Sequence, residues 1–115
     1  MNIIAKSANI TNPMDMYALT KSPDRSKLSE ASGQVLELDK WLVYSEPNSK
    51  GEEVTLVSMT TKDGKAYTSN SGTFIRDFTS AVTMFAEFGA EFHTIQVMNG
   101  RSKAGREFIT CKVIE

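Results

Sequence analysis

Residues 33–46, "GQVLELDKWLVYSE", carry the densest strand signal in the chain and also break its rule. Leu36, Leu38, Leu42 and Tyr44 share one parity, as the inward face of a half-buried strand should, but Lys40 falls awkwardly in the same series. A bulge or strong bend near Asp39-Lys40 resolves the conflict, because one extra residue reverses the facing of everything after it. With Leu36, Leu38, Leu42 and Tyr44 as the inner set, Trp41 is the outward ring of this long first strand.

The flanking segments continue the pattern. "PNSKG" (47–51) makes a loop and "EEVTLVSMTT" (52–61) a second strand. Asp63-Gly64 then signals a tight hairpin, since both residue types tolerate positive φ, and "KAYTSN" (65–70) forms a third strand. In "GTFIRDFTSAVTMFAEFG" (72–89), Phe74, Phe78, Ala81, Val82, Phe85 and Phe88 recur at helical steps. Ser71 or Thr73 can cap this helix and Gly89 can end it. Such a stripe belongs to a core. Strands follow at about 92–98 and 107–114; in the last, Ile109, Cys111 and Val113 share one face and Phe108, Thr110 and Lys112 the other. Residues 1–32 lack regular periodicity and read as an arm with short helical turns at "PMDMYALT" and "SPDRSKL". Neither turn is stable alone, so the arm must dock, with Met14, Met16, Tyr17 and Leu19 as the anchoring set. The order β-β-β-α-β-β predicts an all-β protein: a five-stranded OB-fold barrel over 33–115, one helix between strands 3 and 4, and an N-terminal arm over 1–32.

Composition narrows the function. A chain of 115 residues suits one domain, and the single cysteine, Cys111, fits a reducing compartment. No apolar run approaches the ~20 residues that span a bilayer, so a soluble cytoplasmic protein without membrane contact is expected. The chain offers one His and no CxxC, HExxH or GxxxxGK[ST] spacing, which argues against an enzyme and implies no metal or cofactor. His93 reads as an ordinary strand-start histidine and Cys111 as a small core hydrophobe. Net charge is only −1, yet from His93 to Lys112 four cations less one acid leave +3.

That local charge sits mostly in the loop Asn99–Arg106, between strands 4 and 5, where OB folds commonly hold oligonucleotides. By composition it could be a mere solvated turn; at the mouth of such a groove, Arg101, Lys103 and Arg106 are placed to meet phosphates. Tyr67 shares parity with Lys65 and Ser69, and Phe108 with Lys112. Rings beside cations on outward strand faces suit a single strand, the ring stacking a base while the cation neutralises the next phosphate. The expected nucleic-acid-binding set is Trp41, Lys65, Tyr67, Arg101, Lys103, Arg106, Phe108 and Lys112. The competing reading of the rings is that they cover the barrel or pack beneath the arm.

"ALTKSP" in the arm, "GQVLELDKWLVY", "TSNSGTFIRDF" entering the helix and the ending "GRSKAGREFITC" together resemble the small OB-fold single-stranded DNA-binding proteins encoded by tailed bacteriophages of Gram-positive hosts. The resemblance covers most of residues 17 to 113. It implies a non-catalytic protein that coats single-stranded DNA during phage replication without strong sequence preference, with Tyr67, Arg101, Lys103, Arg106 and Phe108 in the groove. Replication proteins and further copies of the chain are candidate partners. Bacterial relatives often end in an acidic recruiting tail, whereas this sequence ends at Val113-Ile114-Glu115, so recruitment through a tail is not expected. The alternative class is an OB-fold protein–protein adaptor in a phage or mobile-element assembly, which the near-zero net charge favours.

Overall fold

The register of the long strand slips between Leu38 and Lys40, where the sequence demands a bulge. The structure, a computed structural model, describes residues 1–114. Its elements are β1 (Asn2–Lys6), α1 (Pro13–Thr20), β2 (Ser26–Lys27), a 3₁₀ turn (Leu28–Ala31), β3 (Val35–Pro47), β4 (Glu53–Thr61), β5 (Ala66–Ser69), α2 (Gly72–Glu87), β6 (Thr94–Arg101) and β7 (Glu107–Ile114). The protein is therefore all-β and barrel-like, but with seven strands instead of five. The five expected strands are β3 to β7, in the expected order and with α2 between the third and fourth. Both additional strands come from residues 1–32.

The sheet runs β2-β5-β4-β3-β6-β7, with β1 also paired to β3. The bent strand makes this curl possible: β3 gives Val35–Glu37 to β6 and, beyond the bulge, Leu42–Ser45 to β1, while β4 follows its other edge. The curl stops short of closure, since β5 pairs with β2 and not with β7. Helix α2 packs against β7 and β4, and its N-cap Ser71 accepts from the Phe74 N–H at 3.3 Å. The same hydroxyl reaches the Ile109 carbonyl at 3.5 Å.

Two apolar layers result. The larger contains Leu36, Leu38, Val43, Val57, Met59, Phe74, Phe78, Ile95 and Val97 between the sheet and α2. The smaller, Ile10, Leu19, Leu42 and Tyr44 with Met16 and Leu56 against it, lies on the opposite face of β3 and β4, under α1. The bulge thus reverses parity as it should, and its consequence for the inner set must be corrected. Leu36 and Leu38 face the main core, but past the bulge it is Trp41 and Val43 that do so, while Leu42 and Tyr44 turn to the arm. Beneath α1 the Tyr44 hydroxyl meets Ser58 Oγ at 3.2 Å, and Ser58 donates to Thr68 Oγ1 at 3.1 Å.

The first expected turn of the arm is α1 itself. Asn12 accepts from the Asp15 N–H at 3.0 Å, Asp15 accepts from the Thr11 N–H at 3.0 Å, and Pro13 occupies a position where its missing N–H costs nothing. "SPDRSKL" forms no α-helix; it passes through a turn into β2 because Ser26 and Lys27 pair with Tyr67 and Thr68. The anchoring set also differs: Leu19 is buried and Met16 half-buried, but Met14 and Tyr17 point to solvent. No helix among the described residues is long and apolar enough to cross a membrane.

Candidate nucleic-acid interface

Strands β6 and β7 form a two-stranded ribbon in unbroken register from Thr94↔Ile114 to Arg101↔Glu107. Strand β6 extends through Asn99 and Gly100, so the expected eight-residue loop shortens to the turn Ser102–Arg106. Ser102 closes it: its N–H donates to the Arg106 carbonyl at 2.8 Å, and its hydroxyl accepts from the Arg106 N–H at 3.1 Å. Gly105 supplies the positive φ of 81° that the turn requires. Arg101, Lys103 and Arg106 are all exposed around this turn. Arg101 also contacts Glu107 at 3.3 Å, with both side chains about two-thirds in solvent. Such an exposed pair holds weakly and can be exchanged for a phosphate.

The ribbon has a sharp division of faces. Ile95 and Val97 are fully buried, and Ile109 is nearly so, on the side toward α2. On the other side stand Thr94, Gln96, Met98 and Gly100 of β6 opposite Ile114, Lys112, Thr110 and Phe108 of β7. Val35 of β3 extends this face beside Gln96 and Lys112. Phe108 is half-buried and stands outside both core layers. Its ring lies across the backbone of Gly100: a Cβ added there would come within 2.6 Å of Cε2 and 2.7 Å of Cζ. Any side chain at position 100 would have to push the ring aside. The outward facing of Phe108 and Lys112 follows the sequence expectation.

The other expected residues lie elsewhere. Tyr67 is only 7% exposed and sits in the main core, because its cross-strand partner Met59 faces α2. Its parity with Lys65 misleads: Lys65 belongs to the hairpin turn, exposed and 4.0 Å from Asp63, before β5 begins. Trp41 is also corrected, since its ring packs edge-on against Phe78 with centroids 5.1 Å apart. The structure brings together Arg101, Lys103, Arg106, Phe108 and Lys112 on one ribbon and leaves Lys65, Tyr67 and Trp41 off it. Sequence reasoning missed Val35 and Met98, which are 55% and 37% exposed on the same face. The alternation in "TIQVMNGR" held that signal for Met98; Val35 needed the pairing to β6.

Cys111 faces inward from β7, and burial, with Asp77 nearby adding to it, pushes its thiol up to about 12. Near pH 8 only about one molecule in ten thousand would carry the thiolate nucleophile, against roughly a quarter for a free thiol near 8.5. Iodoacetamide should therefore label the native protein very slowly and the denaturant-unfolded protein quickly. Equal rates would show that β7 opens freely. Asp63 shifts the other way: the Thr61 hydroxyl donates to its carboxylate and holds it below the ordinary 3.8, with Lys65 assisting.

An open ribbon face with a ring on a glycine, a cationic turn at one end and a lysine further along offers the stacking and charge that a single strand of nucleic acid uses. The family model described as phage single-stranded DNA-binding protein, of the Phi29 type, matches residues 6–114. The chain belongs to that family, a DNA-binding and non-enzymatic kind of protein, and it binds single-stranded DNA in phage replication. No match was found among curated proteins or among solved structures.

Proposed function

We propose that single-stranded DNA is held on the outer face of β6 and β7, with a base stacked on Phe108 and phosphates at Arg101, Lys103, Arg106 and Lys112. The observation that carries this reading is the Phe108 ring lying over Gly100, outside the core, at the foot of the cationic turn. The alternative outer face, on β3 and β4, is covered by α1. In this reading β3 to β7 are the five strands of an OB-type barrel opened between the third and fifth, and the N-terminal strands and α1 are an appended arm over 1–32. The protein would act in the cytoplasm of a Gram-positive host, with replication proteins as partners through other faces. Stacking and phosphate contact both tolerate any base, which suits coating without sequence preference.

The test is a titration of labelled oligo-dT at low salt, against a duplex of equal length. Phe108→Ala should weaken single-strand binding by about 1 to 3 kcal/mol. Unchanged binding would remove the ring from the interface. A second measurement probes the glycine. Gly100→Val should displace the ring, so the Gly100→Val/Phe108→Ala double variant should bind no worse than Phe108→Ala alone. Additive losses would mean that the two residues act separately.

A further inference from the structure

The outer face of the ribbon continues sideways beyond β6. From the ring on Gly100 its outward positions run through Met98 to Gln96, roughly 14 Å at ~3.4 Å per residue, and one strand further across stands Val35 of β3, 55% exposed. Along one edge Val35 to Glu37 pair with β6. Along the other, the pairing of β3 with β4 ends at Leu38↔Thr61; the Lys62 N–H still donates to the Glu37 carbonyl at 2.9 Å, and the chain then turns away into the β4–β5 hairpin. A groove of about 400 Å³ opens there, lined from β3 by Val35 and Glu37 and from the hairpin by Lys62, Asp63 and Lys65. Val35 belongs to the ribbon face and to the groove at once.

The charges of the groove are unevenly engaged. Lys62 is exposed and, among the described residues, makes no ion pair. Lys65 meets Asp63 only at 4.0 Å, with both side chains more than 60% in solvent, an attraction that water weakens and a phosphate can replace. Asp63 has a second partner, since the Thr61 hydroxyl donates to its carboxylate. Glu37 is exposed and, among the described residues, has no ion-pair partner. The groove therefore offers two lysines to a passing phosphate and sets one uncompensated carboxylate against it.

We infer that the single strand does not end on the ribbon but crosses β3 over Val35 and continues in this groove, with phosphates at Lys62 and Lys65. The inference rests on the placement of the strand on β6 and β7 proposed above. Two routes lead on from Gln96 and Lys112. Straight along the ribbon lie Thr94 and Ile114, which carry no charge, whereas across β3 lie an exposed apolar side chain and then two lysines. A cationic groove that tracks the backbone, joined to a stacking surface, is how single strands are held without sequence preference. Val35 supplies apolar contact but no ring, so the groove acts mainly through charge, and its contribution fades as salt rises.

Titrations of the full chain with oligo-dT of about 4 and about 12 nucleotides, both within the range of single OB-type sites, separate the groove from the ribbon. Lys62→Gln with Lys65→Gln should leave the affinity for the short strand unchanged. For the long strand it should flatten the salt slope by about 1.4, at ~0.7 per phosphate, so that over a tenfold rise in salt the variant loses about 25 times less affinity than the wild type. Glu37→Gln should tighten the long strand alone, by about two- to fivefold at low salt. Melting curves should not move, because all three side chains are exposed and the bond between Lys62 and Glu37 is made by backbone atoms. Phe108→Ala serves as the control for the ribbon and should weaken both lengths. If it does so while the double lysine variant keeps the wild-type slope with the long strand, the groove is empty of DNA and the inference is overturned, with the ribbon reading intact. A double variant that weakens both lengths alike would overturn it too, and a Phe108→Ala variant that weakens neither would remove the ribbon reading and this inference with it.

Discussion

Phe78→Ala is expected to remove about 3 to 5 kcal/mol of stability, the usual cost of deleting a large ring from a packed core. Phe78 is fully buried at the junction of three other rings: Phe74 stacked at 6.0 Å, Trp41 edge-on at 5.1 Å and Phe92 edge-on at 5.6 Å. Its loss would leave a cavity that neighbours on α2, on β3 and just before β6 cannot fill together. Against a total of about 5 to 15 kcal/mol for an ordinary domain, that is about a fifth of the margin or more. The melting temperature should fall by roughly 10 to 25 °C, and the emission of Trp41, the only tryptophan, should move to the red as its partner ring disappears. Tyr67→Ala should behave in the same way, since its ring is buried in the same layer. Single-strand affinity measured on the folded protein at low temperature should survive both changes. If Phe78→Ala melts within about 2 °C of the wild type, well inside what a kilocalorie would move, the ring cluster is not the centre of stability.

The difference between Tyr67 and Phe108 shows how far the sequence can be read. Both rings share parity with a lysine, yet one is core and the other faces out. For Phe108 the opposite parity held Ile109 and Cys111, an unmistakably apolar set, so the facing of β7 was legible locally. For β5 the opposite parity held only Ala66 and Thr68, and neither face was apolar enough to decide. Facing there is set by pairing with β4, which places Tyr67 beside Met59, and by α1 covering the other side. Trp41 failed for another reason. The conflict at Lys40 located the bulge correctly, but the parity after it reverses only if Leu42 and Tyr44 have somewhere else to be buried. That second burial site is the face under α1, built by Ile10 and Leu19 from a segment without strand periodicity. The two additional strands were hidden likewise: β2 is two residues long, and β1 becomes a strand through the edge that β3 offers it.

Replacing Arg101, Lys103 and Arg106 together by Gln should change the salt dependence of DNA binding more than any other substitution on the proposed face. Each phosphate neutralised on a single strand contributes about −0.7 to the slope of log affinity against log salt, so losing three contacts should flatten the slope by about 2. Over a tenfold rise in salt, the wild type would then lose about a hundred times more affinity than the variant. Stability should hardly move, since all three side chains are exposed and the Ser102 hydrogen bonds that close the turn remain. The Arg101–Glu107 contact supplies an internal control. At 3.3 Å and in solvent it competes weakly with a phosphate, so Glu107→Gln should raise affinity modestly at low salt and leave it unchanged at high salt, where both attractions are screened. Lys112→Gln, further along the ribbon, should flatten the slope by about 0.7. A triple variant with the wild-type slope would place the phosphate contacts on another part of the molecule. The family's binding activity would stand, but the single strand would not run along β6 and β7, and the exposed Tyr17 on α1, with Lys21 just after the helix, would become the next surface to test.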